Sequence, residues 1–126
     1  RTYVHLSTGN YNQVTARIYT DIGYFTARED FGSDAINLFN FLTGYSQCKT
    51  WRQFAVAPIT LSDALLMLIR RETESHTPEN PGEIVAKLNA LVDDKIIRAL
   101  YRASQKGVKI KLLVRGVCCL RPGVPG

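Results

Sequence analysis

The side chains of this sequence best suited to phosphoryl groups fall into two clusters, each where a strand ends or the chain bends. His5 closes an extended run and precedes Ser7, Thr8, Gly9 and Asn10. A loop of small polar residues can aim backbone and hydroxyl donors at an oxyanion. An imidazole beside it can act as nucleophile or proton carrier. A histidine at a strand end can equally be structural. Tyr19 shares the polar side of residues 15–25 with Arg17 and Asp21. Its hydroxyl could reach a phosphate, or it could be a half-buried strand tyrosine. The second cluster is Lys87, Asn89 and Arg115, which all fall toward the carboxyl ends of expected strands. A guanidinium fork suits phosphate oxygens, although a surface or ion-paired arginine is the plain alternative. Gly116 follows it and gives the backbone freedom to bend.

These residues need elements to hold them. Residues 1–6 are rich in strand formers, and residues 7–12 (STGNYN) signal a turn. Residues 15–25 alternate and predict a second strand, with Ile18, Thr20, Ile22 and Tyr24 on one face. Ser33 or Asp34 can cap a helix that runs to Thr43 and stops at Gly44, with Ala35, Leu38, Phe39 and Leu42 as its apolar face. Residues 53–57 could form a short strand. Ser62 can cap a helix carrying Leu65, Leu66, Leu68 and Ile69, which has faded by Pro78. Residues 73–82 form a polar hinge with two prolines, the expected boundary between two subdomains. His76 within it reads as solvated.

The last third has the plainest pattern. Residues 83–88 predict a strand, and Asp93 caps a helix whose core face is Ile96, Ile97, Leu100 and Tyr101. Gly107 ends that helix, and residues 108–115 predict another strand. Two strands joined by one helix should be parallel, with a right-handed crossover. The fold class is therefore α/β or α+β. In open α/β sheets ligands bind beyond the carboxyl ends of the strands, where Lys87, Asn89 and Arg115 would lie.

Composition narrows the classes. Hydrophobic residues make up 45% and charged residues 21% of the 126 positions, as in a globular protein. No apolar run approaches the ~18 residues of a membrane span. The net charge of +5 suits a polyanion such as nucleotide, polyphosphate, nucleic acid or an acidic membrane, or simply a solvated basic surface. Cys48, Cys118 and Cys119 have no zinc-ligand spacing and form no evident disulfide framework, so buried thiols in a reducing cytoplasm are expected. Residues 44–50 (GYSQCKT) end in Lys-Thr but have Cys48 where a phosphate loop needs glycine. Both ends of the chain look cut, as in a piece of a longer protein.

Four runs carry a resemblance: YVHLSTGNYNQVTARIYTDIGYFTA (3–27), LFNFLTGYS (38–46), AKLNALVD (86–93) and LLVRGVCCLRPGVPG (112–126). In this order they resemble the polyphosphate kinase family. The resemblance implies two phospholipase D-like α/β domains, with residues 1–77 ending the first and residues 78–126 beginning the second. It implies reversible transfer of the terminal phosphate of ATP to polyphosphate through a phosphohistidine, with Mg2+ on the nucleotide. His5 matches the histidine of the family's H-x-x-T-G-N pattern, and residues 7–10 resemble the G-S-x-N element of phospholipase D sites. Tyr19 and Arg115 match residues that contact ATP phosphates; Asn10, Lys87 and Asn89 remain candidates. The family's phosphorylated histidine lies in an H-x-K element, and no H-x-K occurs in this sequence. The implied partners are ATP, ADP and inorganic polyphosphate rather than nucleic acid. A cytoplasmic homo-oligomer able to associate peripherally with membranes is also implied. The rival functions are a phospholipase D-like phosphodiesterase or phosphatidyl transferase, and a non-catalytic polyanion-binding module.

Overall fold

In a computed structural model of the chain, residues 1–47 and 49–124 are described, and the chain divides into two compact units between Ala55 and Val56. The expectation of a buried Cys48 thiol lies outside the described residues.

The first unit is built on an antiparallel pair, β1 (Val4–Ser7) and β2 (Gly23–Thr26), with His5 opposite Phe25 and Ser7 opposite Gly23. Helix α1 (Glu29–Leu42) follows. Residues 15–22 are not a strand. The Asn12 side chain accepts the backbone N–H groups of Val14 and Thr15 at 2.9 and 3.2 Å, which starts the 3-10 turn Thr15–Arg17. Helix α1 starts earlier than Ser33, with Arg28 as its N-cap residue and Glu29 and Asp30 in its first turn near the positive end of the helix dipole. Gly44 lies at φ +76 just past its end, as a helix stop of this type requires.

Asp34, expected as a cap, is instead a buried anchor. Its carboxylate accepts the backbone N–H groups of Arg52, Gln53 and Phe54 at 3.0, 2.6 and 3.0 Å. Those donors therefore have no strand partner, and the expected strand at 53–57 does not form. Phe54 packs edge-on to Phe31 and Trp51 to Phe41, which lays this segment along α1. Phe39 and Leu42, expected in the core, are exposed in this unit.

The second unit contains α2 (Leu61–Ser75), β3 (Glu83–Leu88), α3 (Asp94–Gln105) and β4 (Lys109–Val114). Strands β3 and β4 are parallel, with Lys87 opposite Leu113. Their alternation divides cleanly: Ile84, Ala86, Leu88, Ile110, Leu112 and Val114 are partly buried, and the intervening residues are exposed. The inward side packs on Ile97, Leu100 and Ala103 of α3, with Ile69 of α2 in the same core. Asp93 caps α3, its carboxylate accepting the Ile96 N–H at 2.9 Å. Ser62 lies inside the first turn of α2, whose N-cap residue is Thr60.

Residues 76–82 join α2 to β3 within this unit, so the division of the chain falls before α2 rather than after it. His76 is not simply solvated. Its Nδ1 accepts the Gly82 N–H at 2.9 Å, and a Cβ on Gly107 would meet its Nε2 at 2.9 Å. Cys118 and Cys119 are exposed rather than buried, in a segment that bridges Leu91 beyond the end of the strand pair.

Candidate functional site

His5 sits in the middle of β1 and is half-buried. Its ring stacks on Phe25 at 4.2 Å between centroids and 24° between planes, and meets Tyr11 edge-on at 5.5 Å. The Tyr11 hydroxyl lies 2.7 Å from His5 Nδ1 and donates to the His5 carbonyl at 3.2 Å. The other ring nitrogen faces Gly23, where a Cβ would come within 3.0 Å of it. A histidine held at one nitrogen and left open at the other can exchange a proton or bind an oxyanion.

In the loop after β1 several of the expected donors are already engaged. The Thr8 hydroxyl donates to Asp21 at 2.9 Å, the Thr8 N–H to the Ile22 carbonyl at 3.1 Å, and the Gly9 N–H to the Ser7 hydroxyl at 3.0 Å. These donors are engaged locally, and the Asp21 carboxylate stands against Gly9, leaving no room for a Cβ there. Asn10 is exposed in the same loop. Tyr19 lies in the bend after the 3-10 turn, its N–H donating to the Thr15 carbonyl at 3.2 Å, and is exposed rather than half-buried in a strand.

In the second unit, the three predicted residues lie as the strand pattern requires. Lys87 is on the exposed face of β3. Pairing continues past the strand ends, with the Arg115 N–H donating to the Leu88 carbonyl at 3.0 Å and the Gly116 N–H to the Asn89 carbonyl at 2.9 Å. Arg115 and Asn89 therefore flank each other at the carboxyl end of the pair. Gly116 serves close approach rather than bending: a Cβ there would stand 2.9 Å from the Asn89 carbonyl oxygen. At the other end, Lys111 bonds Glu83 at 2.7 Å, and hydrogen bonding and charge hold the Glu83 carboxyl below its ordinary pKa and the Lys111 amine above its own. Residues 86–89 and 112–116 contain no acidic side chain.

His5, Asn10 and Tyr19 thus belong to the first unit, and Lys87, Asn89 and Arg115 to the second. Sequence reasoning missed Tyr11 and Asp21 as partners in this site. Tyr11 reaches His5 from a loop, so no periodicity marks it; the carboxylate of Asp21 was visible, but its bond to Thr8 was not. Among the described residues, no group of three His, Cys, Asp or Glu side chains could hold a metal ion, and no helix is long and apolar enough to cross a membrane.

Residues 1–48 match Polyphosphate kinase C-terminal domain 1, and residues 54–126 match Polyphosphate kinase C-terminal domain 2. The two stretches meet near the division between the units. A polyphosphate kinase of Thermosynechococcus vestitus is 54% identical over 126 residues, covering 100% of this chain and 17% of that protein. One of Rhodopirellula baltica is 56% identical over 124 residues, 98% of this chain and 15% of that protein. The crystal structure of polyphosphate kinase from Porphyromonas gingivalis has a TM-score of 0.88 and 41% identity, covering 98% of this chain and 19% of that one. The chain spans about a sixth of these relatives, and across that span, with both C-terminal domains matched in order, it belongs to the polyphosphate kinase family.

Proposed function

We propose that this chain is a section of the catalytic region of an ATP–polyphosphate phosphotransferase with phospholipase D-like domains. The observation that carries the reading is the position of Arg115 beside Asn89 at the carboxyl end of a parallel strand pair, on the same open face as Lys87. That is where an open α/β sheet receives a ligand, and the local charge suits phosphates. In the full-length enzyme a histidine nitrogen attacks the γ-phosphorus of ATP and ADP leaves. The phosphohistidine then passes the group to the terminal phosphate of the polymer, which grows by one unit and frees the imidazole. That histidine belongs to an H-x-K element this sequence does not contain.

The residues present bind and orient. Arg115 stabilises charge on the transferred or neighbouring phosphate, with Lys87 and Asn89 beside it. Tyr19 donates a hydrogen bond to nucleotide phosphate. His5 handles a proton or binds the transferred group, and Asn10 is a further donor in the loop that follows it. Mg2+ enters with the nucleotide substrate, where it neutralises phosphate charge. The same reading takes the full-length protein to be a cytoplasmic homo-oligomer that can associate peripherally with membranes.

Incubating the full-length protein with γ-labelled ATP tests this. Acid-labile protein-bound label that is chased into an acid-insoluble phosphate polymer is the expected result. Acid-stable label, or none at all with no polymer, would refute the proposal.

A further inference from the structure

We propose that Tyr11 is a positioning residue that holds the His5 ring through Nδ1 and makes Nε2 its working nitrogen. The inference rests on the role given to His5 above. The Tyr11 hydroxyl sits 2.7 Å from Nδ1 and 3.2 Å from the His5 carbonyl oxygen, so it engages one ring nitrogen and the strand backbone together. A phenol oxygen can donate to or accept from an imidazole nitrogen, so this contact holds the ring in place through Nδ1. The nitrogen left to meet a phosphate or a proton is Nε2.

Two neighbours aim that atom. Phe25 stacks on the imidazole and fixes its plane. Gly23 stands opposite Ser7 in β2, and a Cβ there would come within 3.0 Å of Nε2. Gly23 is not among the glycines with positive φ, so the position calls for the missing side chain rather than for a left-handed backbone. Packing does not explain Tyr11 itself: it is 78% exposed and gains little from burial. The contact to His5 and its carbonyl is what gives the ring a fixed place.

The test uses the full-length enzyme with Tyr11→Phe, Gly23→Ala and His5→Gln. Tyr11→Phe keeps the edge-on ring and loses only the hydroxyl. It should lower kcat about 10- to 100-fold while leaving KM for ATP and for polyphosphate unchanged, the pattern of an interaction that matters in the transition state. Gly23→Ala should lower kcat similarly by covering Nε2. Full kcat in Tyr11→Phe, or a change in KM alone, would show that the ring's packing suffices and would overturn the inference while an inactive His5→Gln left the role of His5 standing. Full activity in His5→Gln would overturn both. If Tyr11→Phe failed to fold, unchanged kcat in Gly23→Ala would still overturn the proposal.

Discussion

Asp34 shows how one residue can decide the path of a long segment. Burial alone would raise its pKa, but the N–H donors of Arg52, Gln53 and Phe54 outweigh this and hold it below the ordinary aspartate value. The ionised form is thus favoured by folding, and each hydrogen bond to a charged group contributes about 1.5–3 kcal/mol. A depressed folded pKa gives stability that is full above the unfolded pKa and is lost as pH falls through the folded one. The anchor should therefore hold at neutral pH and release only below about pH 4. Hydrogen exchange at the amides of 52–54 in the full-length protein would read this directly. Asp34→Ala should remove their protection at pH 7, and retention of protection would show that the aromatic contacts of Trp51 and Phe54 hold the segment unaided.

At the scale of elements, the β3–α3–β4 unit was legible in the sequence because each local signal agreed with the tertiary contacts. Ile84, Ala86 and Leu88 alternate toward a real core, Asp93 caps as its type and place suggest, and Gly107 takes φ +95 where α3 ends. Gly107→Ala should cost about 1–3 kcal/mol through the positive φ, with a further penalty from the His76 ring at 2.9 Å. Thermal unfolding and exchange at the α3 terminus would measure it, and a neutral result would mean the turn rearranges freely. The first unit was less legible. The alternation of Ile18 and Ile22 faces no core among the described residues, the two being 69% and 75% exposed, and Asn12 diverts the backbone into a turn. The 53–57 strand failed because a side chain, not a strand, took its donors. Placement of Lys87, Asn89 and Arg115 followed from period-two alternation alone, whereas the Tyr11–His5 contact depends on loop geometry that no pattern encodes.

At the scale of the whole molecule, the proposed phosphate role of Arg115 and Asn89 rests on their place at the carboxyl end of the strand pair. The H-x-K element is absent from these 126 residues. The chain alone should therefore show no sustained ATP-dependent polymer synthesis, and turnover by it would refute that division of labour. The central claim, that Arg115 engages phosphate during transfer, is tested most directly by steady-state kinetics of Arg115→Ala in the full-length enzyme. Loss of one fully engaged donor should remove about 2.7–4 kcal/mol of transition-state stabilisation, a fall of about 10²–10³ in kcat. Turnover equal to that of the unaltered enzyme would contradict the account.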